Sequence, residues 1–225
     1  AWHCHFMQRL EAEATMDEIA INPELDELLN RKLDQRKFIA WRDGKTGWPF
    51  FDACMRYLTA TGWINFRMRA MLQSVASYTL WLPWQATGSH LANLFMDYEP
   101  GIHWSQVQMQ SGVTGINSVR AYSVSKQSID HDPDGDFIRQ WVPELAAVPT
   151  EHIHEPWLMS KIEQEQYNCR IDIDYPAPIV DEKVARKEGI SKSYKAKGDA
   201  GVRRRAKIVF DIHGSRSRQS GRSRN

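Results

Sequence analysis

Cysteine is scarce in this sequence, and the three residues present are far apart. Cys4, Cys54 and Cys169 form no C-x-x-C pair, and their number is odd. This spacing predicts neither a disulfide framework nor a zinc or iron–sulfur site. Free thiols of this kind are typical of a reducing compartment, so we expect a cytoplasmic protein.

Long apolar runs and strand patterns are also rare. No stretch of about 18 consecutive apolar residues occurs and no signal peptide is recognisable, so the sequence predicts neither a membrane span nor a membrane partner. Only residues 206–214 have the pattern of a short strand. The expected fold class is therefore all-α.

A metal site is not predicted either. Residues 130–136 begin like an EF-hand loop, but the twelfth position is Trp141 rather than the glutamate that calcium requires. Two His-x-His pairs are present, but side chains two positions apart diverge on a helix, and no further ligands cluster with them.

Charge is distributed unevenly along the chain. The formal net charge is +1, yet residues 182–225 contain 14 Lys and Arg against 4 Asp and Glu, a surplus of ten positive charges. Such a basic end indicates contact with a polyanion or a solvated tail. Because residues 214–225 are rich in Ser, Arg and Gly, we expect one domain over residues 1–198 and a basic, disordered tail over residues 199–225.

Helical periodicity is clearest in the first half of the chain. Residues 50–58 follow a proline, which suits the first turn of a helix, and their apolar run predicts a buried helix. Apolar residues then recur at helical spacing from Ile64 to Val75, which predicts a helix over residues 64–80. The glycine-containing segment 97–109 is expected to be a loop that faces this helix.

Residues 41–69 read WRDGKTGWPFFDACMRYLTATGWINFRMR. Their order, W-x-x-GKTG-x-P-x-x-DA-x-MR-x-L followed by GW-x-x-x-R-x-R, resembles the C-terminal FAD-binding domain of the photolyase/cryptochrome family. DYEPGIHW (97–104), KQSIDHDPDGDFIRQWVPEL (126–145) and YPAPIVDEKVAR (175–186) agree in the same order, and the resemblance covers roughly residues 1–190. It implies a helical domain that holds FAD in a bent form.

The resemblance also implies which residues bind the cofactor: Trp63, Phe66, Arg69, Glu99, His103 and Val107. In the family, the arginine at the position of Arg69 reaches the reactive edge of the flavin and pairs with an acid, here expected to be Glu99. His103 stands where most photolyases have asparagine beside the central nitrogen of the flavin. Histidine there is expected to titrate near neutral pH and to couple proton transfer to flavin reduction. Glu99 and His103 are therefore catalytic candidates; the alternatives are an ordinary interior ion pair and a structural histidine.

Trp84 is the third catalytic candidate, because it matches the middle tryptophan of the family's three-member electron relay. The flavin-proximal relay position falls on Val107 and the surface position falls near Arg31, so the usual relay is predicted to be interrupted. Trp81 and Trp104 are candidates for another path.

Four positions match sites that contact DNA or a lesion in the family. Trp2 and Met109 correspond to residues that line the cavity for a flipped pyrimidine dimer, where an aromatic wall replaces lost base stacking. His3 stands where the family often has a DNA-contacting arginine, and Arg67 is the fourth expected DNA contact.

The resemblance implies a photolyase-like flavoprotein that transfers an electron, driven by light, to pyrimidine photoproducts in DNA. A cryptochrome-like light or redox sensor without repair activity is the first alternative. A helical binding module that has lost FAD is the second. The family's TS-x-LSP-type segment, which cradles the FAD phosphates, does not occur in this sequence. Either the sequence is a fragment of a longer protein or a separate chain supplies the N-terminal half, and we expect weak FAD binding by this chain alone.

Overall fold

The chain folds into packed α-helices. In a computed structural model, the backbone is described for residues 2–213 and the side chains for residues 6–212. The α-helices of this part are, in chain order, α1 (Trp2–Ala12), α2 (Pro23–Leu29), α3 (Gln35–Arg42), α4 (Pro49–Thr61), α5 (Phe66–Ser74), α6 (Trp84–Leu94), α7 (Pro100–Ser111), α8 (Val124–His131), α9 (Asp136–Trp141), α10 (Thr150–Ile153), α11 (Lys161–Gln166), α12 (Glu182–Lys197) and α13 (Ala200–His213). A π-helical segment (Val75–Thr79) follows α5, and 3-10 turns (Pro143–Leu145 and Pro156–Leu158) flank α10. Among the described residues, β pairing is limited to an isolated bridge between Ile171 and Tyr175, so the all-α prediction is confirmed.

Helix α4 lies at the centre of the larger hydrophobic core. Phe51, Met55 and Leu58 are fully buried, and the helix packs against α5, α8 and α9. Each such side chain contributes about 1.5–3 kcal/mol to stability. Gly62 ends the helix at φ +71°, a left-handed conformation that glycine adopts without strain.

Asp52 of α4 joins three of the sequence motifs. Its carboxylate accepts hydrogen bonds from the backbone N–H (2.9 Å) and hydroxyl (2.7 Å) of Thr46, the N–H of Gly47 (3.1 Å) and the hydroxyl of Tyr175 (2.6 Å). A Cβ on Gly47 would come within 2.4 Å of the backbone of Ala177. The GKTG, DA and YPAP motifs therefore meet in a structural hydrogen-bond cluster.

Helices α5 and α7 determine where the site lies. The predicted helix over residues 64–80 is confirmed as α5 and the π-helical segment. The predicted loop over residues 97–109 is wrong for most of its length, because α7 begins at Pro100. Glu99 supplies the N-cap for this helix, and proline suits its first position since it lacks the N–H that would have no partner there.

Helix α13 corrects the prediction of a disordered tail from residue 199. Val202 and Val209 lie seven residues apart on this helix and are buried. The side-chain amide of Asn22 donates to the carbonyl of Val202 at 3.2 Å, which ties α13 to the start of α2. The strand-like pattern of residues 206–214 falls on the same helix up to its end at His213. Residues 214–225 lie outside the described part.

Two kinds of feature are not found in the part of the chain that the structure describes. None of its helices combines the length and the apolar character needed to cross a membrane. Nor does any group of three or more His, Cys, Asp or Glu side chains have an arrangement that could hold a metal ion.

Candidate functional site

A cleft of about 150 Å³ lies between α5 and α7, with α6 and the segment before α7 contributing to its walls. Apolar and aromatic side chains make up most of the lining, including Leu91, Phe95 and Val107. The charged groups are Arg69, Asp97 and Glu99, and the amides are Gln73, Gln106 and Gln110. An apolar cleft with a few convergent polar groups is the usual form of a ligand site.

The structure brings most of the predicted cofactor-binding residues together. Phe66, Arg69, Glu99, His103 and Val107 all line the cleft. Their convergence follows from helical spacing, because positions 66 and 69 share one face of α5, and positions 103 and 107 share one face of α7. The exception is Trp63, just before α5, which is 48% exposed and is not among the residues that line the cleft, so its contact with the cofactor stays a prediction.

Arg69 is fixed at the edge of the cleft by three partners. Its Nη2 lies 2.9 Å from Oδ2 of Asp97, and its Nε donates to the carbonyl of Ile64 at 2.7 Å. The guanidinium carbon lies 4.2 Å from the ring centroid of Phe95. The predicted pairing with Glu99 is therefore wrong, and Asp97 is the acid. Because Asp97 is half exposed, the ion pair adds little to stability, and its main effect is to orient the arginine.

Glu99 has a different function from the one predicted. Its Oε1 accepts a hydrogen bond from the N–H of Gly101 at 3.2 Å, and its Oε2 accepts one from the N–H of Ile102 at 2.6 Å. A carboxylate at this position satisfies two free backbone donors and complements the positive end of the helix dipole. Glu99 therefore holds the start of α7 in place at the rim of the cleft.

His103 is buried and has a defined tautomer. Its Nε2 lies 2.9 Å from the carbonyl oxygen of Gly88, and a carbonyl only accepts, so Nε2 carries the hydrogen. Burial lowers the pKa of His103 to about 4, while the hydrogen bond to Gly88 raises the pKa and the nearby charge of Arg69 lowers it. The prediction that His103 titrates near neutral pH is therefore wrong. At neutral pH its Nδ1 is unprotonated and can only accept a proton.

A chain of aromatic rings leads from the cleft into the core. The ring of His103 lies 4.9 Å from the ring of Trp104, and Trp104 lies 6.1 Å from Trp84, measured between centroids. Trp84 is fully buried, and its indole N–H donates to Asp26 at 3.1 Å. Trp84 is thus two rings away from the cleft lining rather than part of it.

Trp81 lies in a different electrostatic setting. The guanidinium carbon of Arg31 lies 4.7 Å from its ring centroid, and Nζ of Lys192 lies 5.1 Å from it. Burial lowers the pKa of Arg31 to about 10, so this guanidinium remains charged at neutral pH. Trp81 therefore faces two positive charges, whereas Trp84 faces a carboxylate.

Of the four predicted DNA contacts, the two whose side chains are described do not line the cleft. Arg67 is exposed on α5, and Met109 is half-buried on α7, but neither lines the cleft. The side chains of Trp2 and His3 lie outside the described residues.

Asp97 and Gln73 are two polar cleft residues that the sequence analysis did not single out. Asp97 is two positions before the acid that was predicted to pair with Arg69. Gln73 is buried among apolar neighbours in the last turn of α5. A lone glutamine within the apolar run of a buried helix is a signal that can identify such a residue, because buried amides require hydrogen-bond partners.

The family model described as the FAD-binding domain of DNA photolyase matches residues 1–195. A cryptochrome DASH from Gloeobacter violaceus is 36% identical over 151 residues, which are 67% of this chain and 30% of the relative. A deoxyribodipyrimidine photo-lyase from Alkalihalophilus pseudofirmus is 37% identical over 165 residues, which are 72% of this chain and 34% of the relative. The chain thus spans about a third of the length of these relatives.

Solved structures show the same fold. A bacterial class III photolyase from Agrobacterium tumefaciens superposes with a TM-score of 0.80 at 26% identity, covering 88% of this chain and 41% of that one. An archaeal photolyase from Sulfolobus tokodaii, solved with two FAD molecules, gives a TM-score of 0.72 at 27% identity, covering 86% of this chain and 42% of that one.

Proposed function

The chain belongs to the DNA photolyase and cryptochrome family, and we propose that the cleft between α5 and α7 binds the isoalloxazine ring of FAD. The observation that carries this proposal is the 2.9 Å ion pair between Arg69 and Asp97 at the edge of a largely apolar cleft. A flat ring with one polar edge suits such a cleft. Its volume of about 150 Å³ is below the ~300–1,000 Å³ of typical ligand pockets, so we assign it to the ring rather than to the whole dinucleotide.

The chemistry of the lining fits a flavin ring. Leu91, Phe95 and Val107 supply apolar surface. The amide oxygens of Gln73 and Gln106 are buried without a hydrogen-bond partner, and such acceptors favour a ligand with N–H groups. FAD, when bound, would supply light absorption and one-electron chemistry.

Arg69 and His103 have separate roles in this proposal. Arg69 places a fixed positive charge at the edge of the cleft, which favours a ligand that gains negative charge on reduction. His103 is neutral at neutral pH, so its Nδ1 can accept a hydrogen bond from the ring but does not supply a proton. Glu99 contributes indirectly, because its carboxylate caps α7 and holds the start of this helix at the rim of the cleft.

We assign electron delivery to the rings of Trp104 and Trp84. They form a continuous series with His103, whereas Val107 occupies the position at which the family has its first relay tryptophan. The carboxylate beside Trp84 favours a transient positive charge on that indole, and the two cations beside Trp81 oppose one. The route therefore ends at Trp84 rather than at Trp81.

Light-driven repair of pyrimidine photoproducts in DNA is the activity that we assign to the complete protein. Phe66 and Tyr98 line the cleft and remain substantially exposed, so the cleft has aromatic surface on which an extruded base can stack. A cryptochrome-like sensory function is the second candidate, and the similarity to cryptochrome DASH proteins favours it.

Reconstitution with FAD tests the proposed function and separates the two candidates. The purified chain is incubated with an excess of FAD, since binding by this chain alone is expected to be weak, and is then reduced and illuminated with blue light in the presence of a DNA oligonucleotide that contains one cyclobutane pyrimidine dimer; FAD without the protein is the control. Loss of the dimer only in the illuminated, FAD-loaded sample supports repair. FAD binding and photoreduction without dimer loss support the sensory candidate, and failure to bind FAD contradicts both.

A further inference from the structure

Gln73 is the most deeply buried amide of the cleft. It belongs to the last turn of α5, immediately before the π-helical segment, and its side chain is 2% exposed. Its Nε2 lies 3.2 Å from the hydroxyl of Ser77, 2.9 Å from that of Thr87 and 3.0 Å from that of Ser111. Three hydroxyls from three different elements thus surround one end of the amide.

The hydroxyls fix the orientation of this amide. Ser111 donates its single hydrogen to the carbonyl of Val107 at 2.7 Å, and Ser77 donates its own to the hydroxyl oxygen of Ser111 at 2.9 Å. Thr87 donates to backbone carbonyls of the preceding turn. All three hydroxyl hydrogens are therefore used elsewhere, and only lone pairs face the amide. An NH₂ group has two hydrogens to donate to these oxygens and a carbonyl oxygen has none, so Nε2 faces them.

This orientation leaves Oε1 of Gln73 as a buried acceptor without a protein partner. The carbonyl retains two lone pairs, and leaving a buried acceptor unsatisfied is unfavourable. The second amide with a buried, unpartnered Oε1 in this cleft is Gln106, on the opposite wall. The cleft therefore contains two unpaired hydrogen-bond acceptors, which favour a ligand that has hydrogen-bond donors.

We propose that Oε1 of Gln73 accepts a hydrogen bond from the imide N–H of the ring bound in the cleft, which makes Gln73 a specificity-determining residue. The inference rests on the proposed function, because the ring in question is the isoalloxazine of FAD. The same imide group occurs in thymine. The proposal therefore specifies an imide N–H donor, and the experiments below distinguish a flavin from a pyrimidine as the ligand that carries it.

The test combines a protein variant with a ligand variant. Dissociation constants are measured by equilibrium dialysis for FAD and for its 3-methyl derivative, in which the imide hydrogen is replaced, with the wild type, Gln73→Met and Gln85→Met. Gln73→Met keeps the side-chain volume but lacks the acceptor. Gln85→Met makes the same change at a partly buried amide of α6 outside the cleft and serves as the matched control, and thermal unfolding shows whether each variant is folded.

The hydrogen bond predicts a non-additive result. Methylation should weaken binding to the wild type by about 3- to 10-fold, as loss of one hydrogen bond does, and should have no effect on Gln73→Met. Gln85→Met should discriminate between the two ligands as the wild type does. Equal discrimination by the wild type and Gln73→Met overturns the inference while FAD binding itself stands.

A parallel experiment tests whether the imide group belongs to a pyrimidine instead of a flavin. Thymidine and 3-methylthymidine are titrated against the same three proteins. Binding of FAD with Gln73-dependent discrimination supports the flavin assignment. Discrimination only between the thymidines overturns that assignment together with the proposed cofactor site, and binding of neither ligand overturns both proposals.

Discussion

The Nε2 of His103 lies 2.9 Å from the carbonyl oxygen of Gly88, and this contact joins α7 to α6 beside the cleft. Close approach of the two helices requires glycine, because a Cβ at position 88 would lie 2.5 Å from the ring of Trp104. The contact places the hydrogen of the imidazole on Nε2. It thereby makes His103 a neutral acceptor at its other nitrogen.

The first prediction concerns stability at low pH. The folded-state pKa of His103 is lowered to about 4 from 6.5, so the unfolded chain binds a proton that the folded chain excludes. Protonation of the unfolded chain therefore lowers the free energy of unfolding. This loss is absent well above pH 6.5 and grows as the pH falls from 6.5 to 4, where it reaches roughly 3 kcal/mol. His103→Asn, whose amide can still donate to Gly88, should lose less stability than the wild type over this range. Urea unfolding at a series of pH values measures the difference, and parallel curves for the two proteins would contradict the assignment.

The second prediction concerns the route of electrons. With FAD bound, Trp84→Phe and Trp104→Phe should each slow photoreduction by at least about tenfold, equivalent to about 1.4 kcal/mol of barrier. Trp81→Phe is the matched control, because two cations lie beside Trp81, and it should leave the rate nearly unchanged. Transient absorption after a blue flash gives the rates. A larger effect at Trp81 than at Trp84 would show that electrons follow another path.

The third prediction tests whether α13 is part of the folded domain. Val202 is buried against α2, so Val202→Ala should lower the free energy of unfolding by about 1–3 kcal/mol. Ile212 is on the same helix but exposed, and Ile212→Ala should change stability by no more than about 0.5 kcal/mol. Equal, negligible effects in denaturant titrations would indicate that this helix does not contribute to the fold.

Local sequence patterns predicted α5 and the π-helical segment, but they did not predict α7, which was expected to be a loop. The family resemblance, rather than helical spacing, indicated that Arg69, His103 and Val107 lie in one site, and the common face of α7 explains why His103 and Val107 both reach the cleft. Family resemblance placed the acid that pairs with Arg69 two residues too late, at Glu99. The local sequence explains the difference. Glu99 immediately precedes the proline at the start of α7, and its carboxylate caps that helix instead of pairing with Arg69.

Tertiary burial accounts for the remaining differences. The pKa of His103 depends on how completely its neighbours exclude water, which a sequence position does not define. The overall composition of residues 199–225 is typical of a disordered tail. The two valines of α13 that are buried nevertheless attach this segment to the domain. Gln73 was missed because its environment depends on tertiary contacts, with the hydroxyls of Thr87 and Ser111 coming from two other helices.

Arg69, at the edge of the cleft proposed to bind flavin, is central to the proposed function, and titration of the purified chain with FAD tests its role. Arg67 lies two positions away on the same helix, exposed and outside the cleft, so Arg67→Met is the control for Arg69→Met. Bound flavin is followed by fluorescence quenching. Loss of one charge-assisted contact, about 1.5–3 kcal/mol, should weaken FAD binding to Arg69→Met by roughly 10- to 150-fold and leave Arg67→Met like the wild type. Equal affinity for FAD in the wild type and Arg69→Met, or no saturable binding by the wild type, would contradict the account.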